Sequence, residues 1–151
     1  MNRRGALTMI GSQVAITLLP LVGQTGEQDV ESVIKEVFGE RPLQPGRITL
    51  ELPKLAESGN SVPLSVAVES PMSSSDRVLR ACIFATQNPR PLIVTVTFGP
   101  NAGRAAFSTN FRLNGTQDVI AIAEMSDRSL WTTRARVLVT IGACDALQSR
   151  Y

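Results

Sequence analysis

The chain has 151 residues, 43% of them hydrophobic and 19% charged, enough for one domain around one core and too apolar for a disordered chain. Its formal charge of +2 is matched by Arg3 and Arg4 at the front, so the remainder is neutral and offers no broad basic surface for nucleic acid. With no His, two Cys and no Gly-rich phosphate loop ending in Lys-Ser or Lys-Thr, the chain lacks the residues for a Ser-His-Asp or Cys-His centre, for His-ligated zinc and for a Cys-rich zinc site of its own. No metal or cofactor is expected.

Arg3 and Arg4 precede an apolar run from Leu7 to Val22 that Gly11 and Pro20 interrupt. A paired-Arg start before a modestly apolar stretch has the layout of a twin-arginine export signal, assigned to residues 1–24, and predicts a periplasmic protein. Thr8, Ser12, Gln13 and Thr17 make the run too polar for a good membrane span. An anchor or an ordinary first element is the alternative.

Thr25 and Gln28 fit a capping box. Val30, Val33, Ile34 and Val37 follow at helical spacing and Gly39 stops the run, which predicts an amphipathic helix over residues 26–38. Its apolar stripe packs either on the domain or on a partner.

From Gly46 the period changes to two. Alternating runs at Ile48–Leu52, Val62–Val68, Leu92–Phe98 and Ala105–Leu113 read as strands, as do 117–125 and 130–141. Residues 77–85 turn apolar on both faces and read as a central strand. Asn114-Gly115 is the strongest hairpin turn signal. About seven strands at regular spacing, with no second helix, predict an all-β sandwich over residues 25–141 and a polar arm over 142–151.

The two cysteines read differently. Cys82 sits between Ala81 and Ile83 inside an apolar strand and is expected to be inert core. Cys144 follows the last strand, where water and partners can reach its thiol. Three readings stay open on the residues alone: a used thiol, an incidental tail cysteine, and a Cys82–Cys144 disulfide of the antibody type. Against the bridge, that domain type wants a Trp soon after the first Cys, and the only Trp, Trp131, lies near the second.

Taken in order, Arg3-Arg4, Gly59-Asn60-Ser61-Val62-Pro63, Glu69-Ser70-Pro71-Met72, Asn88-Pro89, Gly99-Pro100-Asn101-Ala102-Gly103-Arg104-Ala105, Ala123-Glu124-Met125-Ser126-Asp127, Trp131 and Ile141-Gly142-Ala143-Cys144 resemble the SoxY family of sulfur-carrying subunits in periplasmic thiosulfate oxidation. The resemblance covers essentially the whole chain. It implies an immunoglobulin-like sandwich paired as a heterodimer with a second sandwich subunit, SoxZ, and a terminal Cys as the point of covalent substrate attachment. It also implies that the chain is a carrier and not an enzyme. The chemistry would belong to a c-type haem thiosulfate-coupling enzyme, a sulfate-releasing hydrolase and a sulfane-oxidising enzyme, with no membrane association after export.

In that family two glycines flank the Cys on each side. Here Gly142 and Cys144 agree, while Ala143, Asp145 and Ala146 stand at glycine positions and five further residues follow. Each replacement stiffens the arm, and Asp145 is expected to raise the pKa of the neighbouring thiol. A related binding or scaffold subunit without carrier activity, or an exported sandwich with a Cys82–Cys144 bridge, is the competing reading.

Overall fold

The computed structural model describes residues 26–142, with side chains from Val30 onward. The helix α1 spans Gly26–Phe38, the bounds that periodicity predicts. Gly39 ends it at φ 74°, a left-handed conformation that glycine adopts without penalty, and the Gly39 amide closes the last turn on the Lys35 carbonyl at 2.8 Å. Thr25 and the side chain of Gln28, the proposed cap, lie outside the described residues.

Among the described residues nine strands follow: β1 Leu43–Pro45, β2 Ile48–Glu51, β3 Leu55–Ser58, β4 Val62–Val68, β5 Val78–Ala85, β6 Leu92–Thr97, β7 Ala106–Phe111, β8 Gln117–Met125 and β9 Leu130–Ile141. They form two sheets. The larger has the order β1-β9-β8-β5-β6, with β3 also on β9, and the smaller has the order β2-β4-β7. The all-β sandwich with one N-terminal helix is therefore the observed architecture. The two strands that alternation does not reveal, β1 and β3, are short and run parallel to β9 along one edge.

Asn114-Gly115 is not a hairpin turn. The strand before it, β7, pairs with β4, and the strand after it, β8, pairs with β5 and β9. The turn carries the chain from one sheet to the other. Gly115 supplies the positive φ of 140° that such a reversal needs, but turn chemistry fixes only the local bend. Which strands pair is settled by where β4 and β5 already lie.

Three layers result. Between the sheets, Val62, Leu64, Val66 and Val68 of β4 meet Ile83 of β5, Val119 and Ala121 of β8, and Val137 of β9. On the opposite face of the large sheet, Val30 and Phe38 of α1 pack on Cys82, Phe84, Ile120, Ile122 and Leu130. Both β5 and β8 are thus buried on two faces, which explains their continuous apolar runs. The helical stripe packs on its own domain.

Glu124 pins the far end of the helix. It is a buried carboxylate on β8 that accepts from Arg41 at 2.8 Å and Arg80 at 2.6 Å. Arg80 also donates to the Val37 carbonyl and stacks over Phe38. Arg41 donates to the carbonyls of Phe38 and Arg128. Burial opposes ionisation of Glu124, but the Arg41 and Arg80 hydrogen bonds and both positive charges outweigh it and hold the carboxyl below its usual range.

Candidate functional site

The last strand reaches past its partner. β8 pairs with β9 only as far as Gln117 opposite Val137, so Leu138–Ile141 must find other partners for their backbone groups. On one edge β3 supplies them in parallel, with Leu55 opposite Leu138, Ala56 opposite Val139 and Ser58 opposite Ile141. The Leu138 amide donates to the Lys54 carbonyl at 3.0 Å, and the Gly59 amide donates to the Ile141 carbonyl at 2.8 Å. On the other edge Thr116 stands in for a strand: its hydroxyl accepts from the Val139 amide at 3.0 Å and donates to the Val139 carbonyl at 3.4 Å.

A second set of bonds stiffens this same end. The Gly59 carbonyl accepts from the Leu113 amide at 2.8 Å. Asn88 accepts from the Asn114 amide and from Gln117, each at 2.9 Å, and donates to the Arg112 carbonyl at 2.8 Å. Gln117 is almost completely buried. It accepts from the Gln87 amide at 2.7 Å and donates to the Gly115 carbonyl at 3.2 Å. The turns Gly59-Asn60, Asn88-Pro89 and Asn114-Gly115 therefore converge around the exit of β9, and Gly142 emerges from them buried.

Of the residues that sequence points to, only Gly142 and Cys82 can be placed. Arg3, Arg4, Ala143, Cys144 and Asp145 lie outside the described residues. Two residues of chain span at most about 7 Å, so Cys144 is tethered within that distance of a fixed point.

Cys82 is fully buried and free. Its thiol faces the helix layer, 3.6 Å from the Thr95 hydroxyl. Desolvation pushes the thiol pKa up, against smaller opposing effects of Thr95 and Arg80. Cys82 is opposite Ile122, and Ile122 is opposite Thr132. Thr132 lies nine residues, or about 30 Å, up the strand from Ile141. A disulfide needs Cα atoms within about 7 Å. That geometry removes the Cys82–Cys144 bridge.

A groove of about 800 Å³ runs beside α1, between Ile34 and Phe38 on the helix and Leu43, Leu130 and Thr132 on the strands. It holds no thiol. Among the described residues no cluster of three or more His, Cys, Asp or Glu could hold a metal ion, and no helix is long and apolar enough to cross a membrane.

Residues 34–144 match the family described as "Sulfur oxidation protein SoxY". The chain belongs to the SoxY family. The match begins in α1 and stops on Cys144, so it takes in every bond that anchors the end of β9. The fold is similar to that of the sulfur carrier protein SoxY from Chlorobium limicola f thiosulfatophilum, with a TM-score of 0.64 at 24% identity, covering 76% of this chain and 98% of that one. It is also similar to a superoxide reductase (neelaredoxin) from Ignicoccus hospitalis, at TM-score 0.56 and 17% identity over 62% of this chain and 80% of that one. A superoxide reductase from Nanoarchaeum equitans gives 0.53 and 15% over 64% and 100%. These likenesses are of the sandwich. No curated protein matches the sequence.

Within the SoxY motifs, sequence reasoning missed the roles of Gly59, Asn88 and Glu124, and it passed over Thr116 and Gln117 altogether. A signal for Gln117 was available. It occupies the inward-facing register of Val119, Ala121 and Ala123, and a polar side chain in an inward row is there to satisfy buried backbone.

Proposed function

We propose that this chain is a sulfur carrier of thiosulfate oxidation, in which Cys144 holds the substrate covalently and presents it to partner enzymes. The observation that carries this reading is the family match ending on Cys144, one short tether beyond a strand end bonded along both edges. The other thiol is walled into the core, so loading chemistry has one candidate. A carrier needs a fixed base and an accessible sulfur, and needs no acid, base or metal of its own.

The Cys144 thiol and the terminal sulfur of thiosulfate join in a new S–S bond. Two electrons pass to a c-type haem enzyme, and one proton is released. A hydrolase then adds water across the S–SO₃ bond, releasing sulfate and leaving a persulfide on Cys144. A sulfane-oxidising enzyme then passes six electrons from the persulfide's outer sulfur to an electron acceptor while three waters supply its oxygens and seven protons are released, and a second hydrolysis frees this S-sulfonate as sulfate and restores the thiol. The reading places the protein in the periplasm, delivered by the twin-arginine route through Arg3 and Arg4. There it forms a heterodimer with a SoxZ-like sandwich subunit, which would bury at least about 1,000 Å² of surface in total.

The test is loading. Incubation of the complex with thiosulfate and the haem enzyme, followed by intact-protein mass spectrometry, should add a thiosulfonate to the native chain and nothing to Cys144→Ser. A native chain that stays unmodified while another SoxY loads in the same mixture would mean that Ala143, Asp145 and Ala146 have cost the arm its function, leaving a scaffold subunit.

A further inference from the structure

The large sheet ends at β6, which pairs with β5 on one side and, among the described residues, with no strand on the other. The Phe98 amide donates to the Leu79 carbonyl at 2.9 Å. Alternation along the ladder therefore turns the backbone groups of Val96 and Val94 toward β5 and those of Thr95 and Thr97 outward. A free edge is a template for another strand, and folded proteins guard it with proline, charge or a bulge. The other edges are guarded. β1 ends on Pro45, β2 carries Glu51, β3 carries Glu57, and β7 lies between Arg104 and Arg112. β6 reads Leu92-Ile93-Val94-Thr95-Val96-Thr97, with no charge and no proline. Its bulge leaves Ile93 without an opposite residue on β5, which bends the start of the strand and leaves Val94–Thr97 regular.

We propose that β6 is the pairing edge for a second copy of this chain, joined antiparallel about a two-fold axis at Val96, so that the two large sheets continue as one. The proposal is independent of the carrier reading. Two observations select a second copy. First, the strand is complementary to itself. With Val96 opposite its own copy, Thr95 meets the copy's Thr97 and Val94 meets the copy's Phe98, each twice. Thr–Thr and aromatic–β-branched pairs are among those that stabilise antiparallel neighbours. The faces agree: Thr95 and Thr97 lie opposite Cys82 and Arg80 and are exposed, while Val94 and Phe98 are half-buried against the core between the sheets. This register also joins the outward-turned residues, so each Thr95–Thr97 pair exchanges two backbone bonds. Second, charge permits β6 and forbids the other uncharged strand. The two Arg90 side chains would stand at opposite ends of a β6 junction, whereas β7 paired on itself about Ser108 would set Arg104 opposite Arg112 at both ends. The exit of β9 lies three strands, or about 14 Å, away from β6, so pairing leaves it open to other partners.

The experiment is sedimentation of the full chain under reductant as native, Thr95→Pro and Thr95→Lys forms, with the host complex of the native and Thr95→Lys chains run alongside. The Thr95 amide points away from β5, so proline there costs the fold no ladder bond but removes two bonds from the junction. Lysine keeps the backbone intact and sets two positive charges diagonally across the axis, so the test holds if Thr95→Pro folds poorly. Pairing predicts a native dimer, two copies of the chain in the host complex, and a dissociation constant raised at least about tenfold in each variant. It also predicts that Val96→Cys, in a Cys144→Ser background, forms a disulfide-linked dimer on mild oxidation. Opposed residues at such a position have Cα atoms about 4.5 Å apart, within reach of a disulfide. Thr97→Cys in the same background has no copy of itself opposite and should not link. A native chain that stays monomeric, a dimer indifferent to both Thr95 substitutions, or a Val96→Cys chain that does not link overturns the proposal. So does loss of a different subunit from the Thr95→Lys complex while the chain still dimerises, which would give the edge to that subunit. No sulfur loading is read, so failure here leaves the carrier reading standing, and a chain that pairs but never loads loses only the carrier reading.

Discussion

The two ends of the large sheet are held by opposite means. At one, Glu124 gathers Arg41 and Arg80 and, through them, the last turn of α1. At the other, where β9 leaves the fold, Gly59, Asn88, Thr116 and Gln117 hold the chain by neutral bonds to its backbone. A charged lock is strong only while its carboxylate stays ionised. A neutral one is indifferent to pH and salt. Anchorage of the helix and anchorage of the end of β9 are therefore separate devices, each of which can be broken without the other.

The largest effect is expected at Gln117. Replacing this buried side chain with Leu removes its bonds to the Gln87 amide, the Asn88 side-chain oxygen and the Gly115 carbonyl, at a cost of about 3 kcal/mol, about 1 kcal/mol for each bond. The unfolding midpoint in urea should fall accordingly, with the same loss at pH 7 and pH 4. A loss that shrinks at low pH would mean that this end also depends on charge.

Glu124→Gln should cost less, about 2 kcal/mol, because Arg41 and Arg80 are each about a third exposed and water can replace part of what they lose. Here the pH dependence has a definite sign. The folded carboxyl titrates below its ordinary value of 4.5, so its contribution is complete above about that pH and is lost as pH falls through the folded value. The native and Glu124→Gln stabilities should therefore converge below pH 4.5 and stay apart at pH 7. Parallel curves would show that Glu124 acts by packing alone.

The smallest effect belongs to Thr116→Val, about 1 kcal/mol, and it should be local. Hydrogen exchange at Val139 should accelerate while exchange in β5 and β8 does not change. Uniform acceleration would show that the end of β9 is not a separate unit.

How legible these ends were in the sequence follows from their chemistry. The helix could be read to its boundary residues, because an apolar stripe and a glycine stop are local signals. β4 and β8 could be read because alternation or continuous burial runs the length of each, and β9 because its middle alternates. β1 and β3 could not. They are three and four residues long, mostly exposed, one ends on Pro45, and they exist only because β9 offers an edge. Asn114-Gly115 announced a reversal but not the change of sheet, since pairing is a property of the whole fold. Glu124 stood within a quoted motif with nothing local to say that Arg41, 83 residues away, would pair with it. For the candidate site, the contrast between Cys82 and Cys144 was legible from position along the chain. The hydrogen bonds that fix the end of β9 come from four separate loops and were not.

The central claim is that one thiol of this chain carries sulfur and the other is structural. The direct measurement is peptide mass spectrometry, without reductant, of the protein isolated from cells oxidising thiosulfate. The account predicts persulfide or thiosulfonate on the Cys144 peptide and an unmodified Cys82 peptide. A Cys144 peptide free of added sulfur, or sulfur found on Cys82, would contradict it.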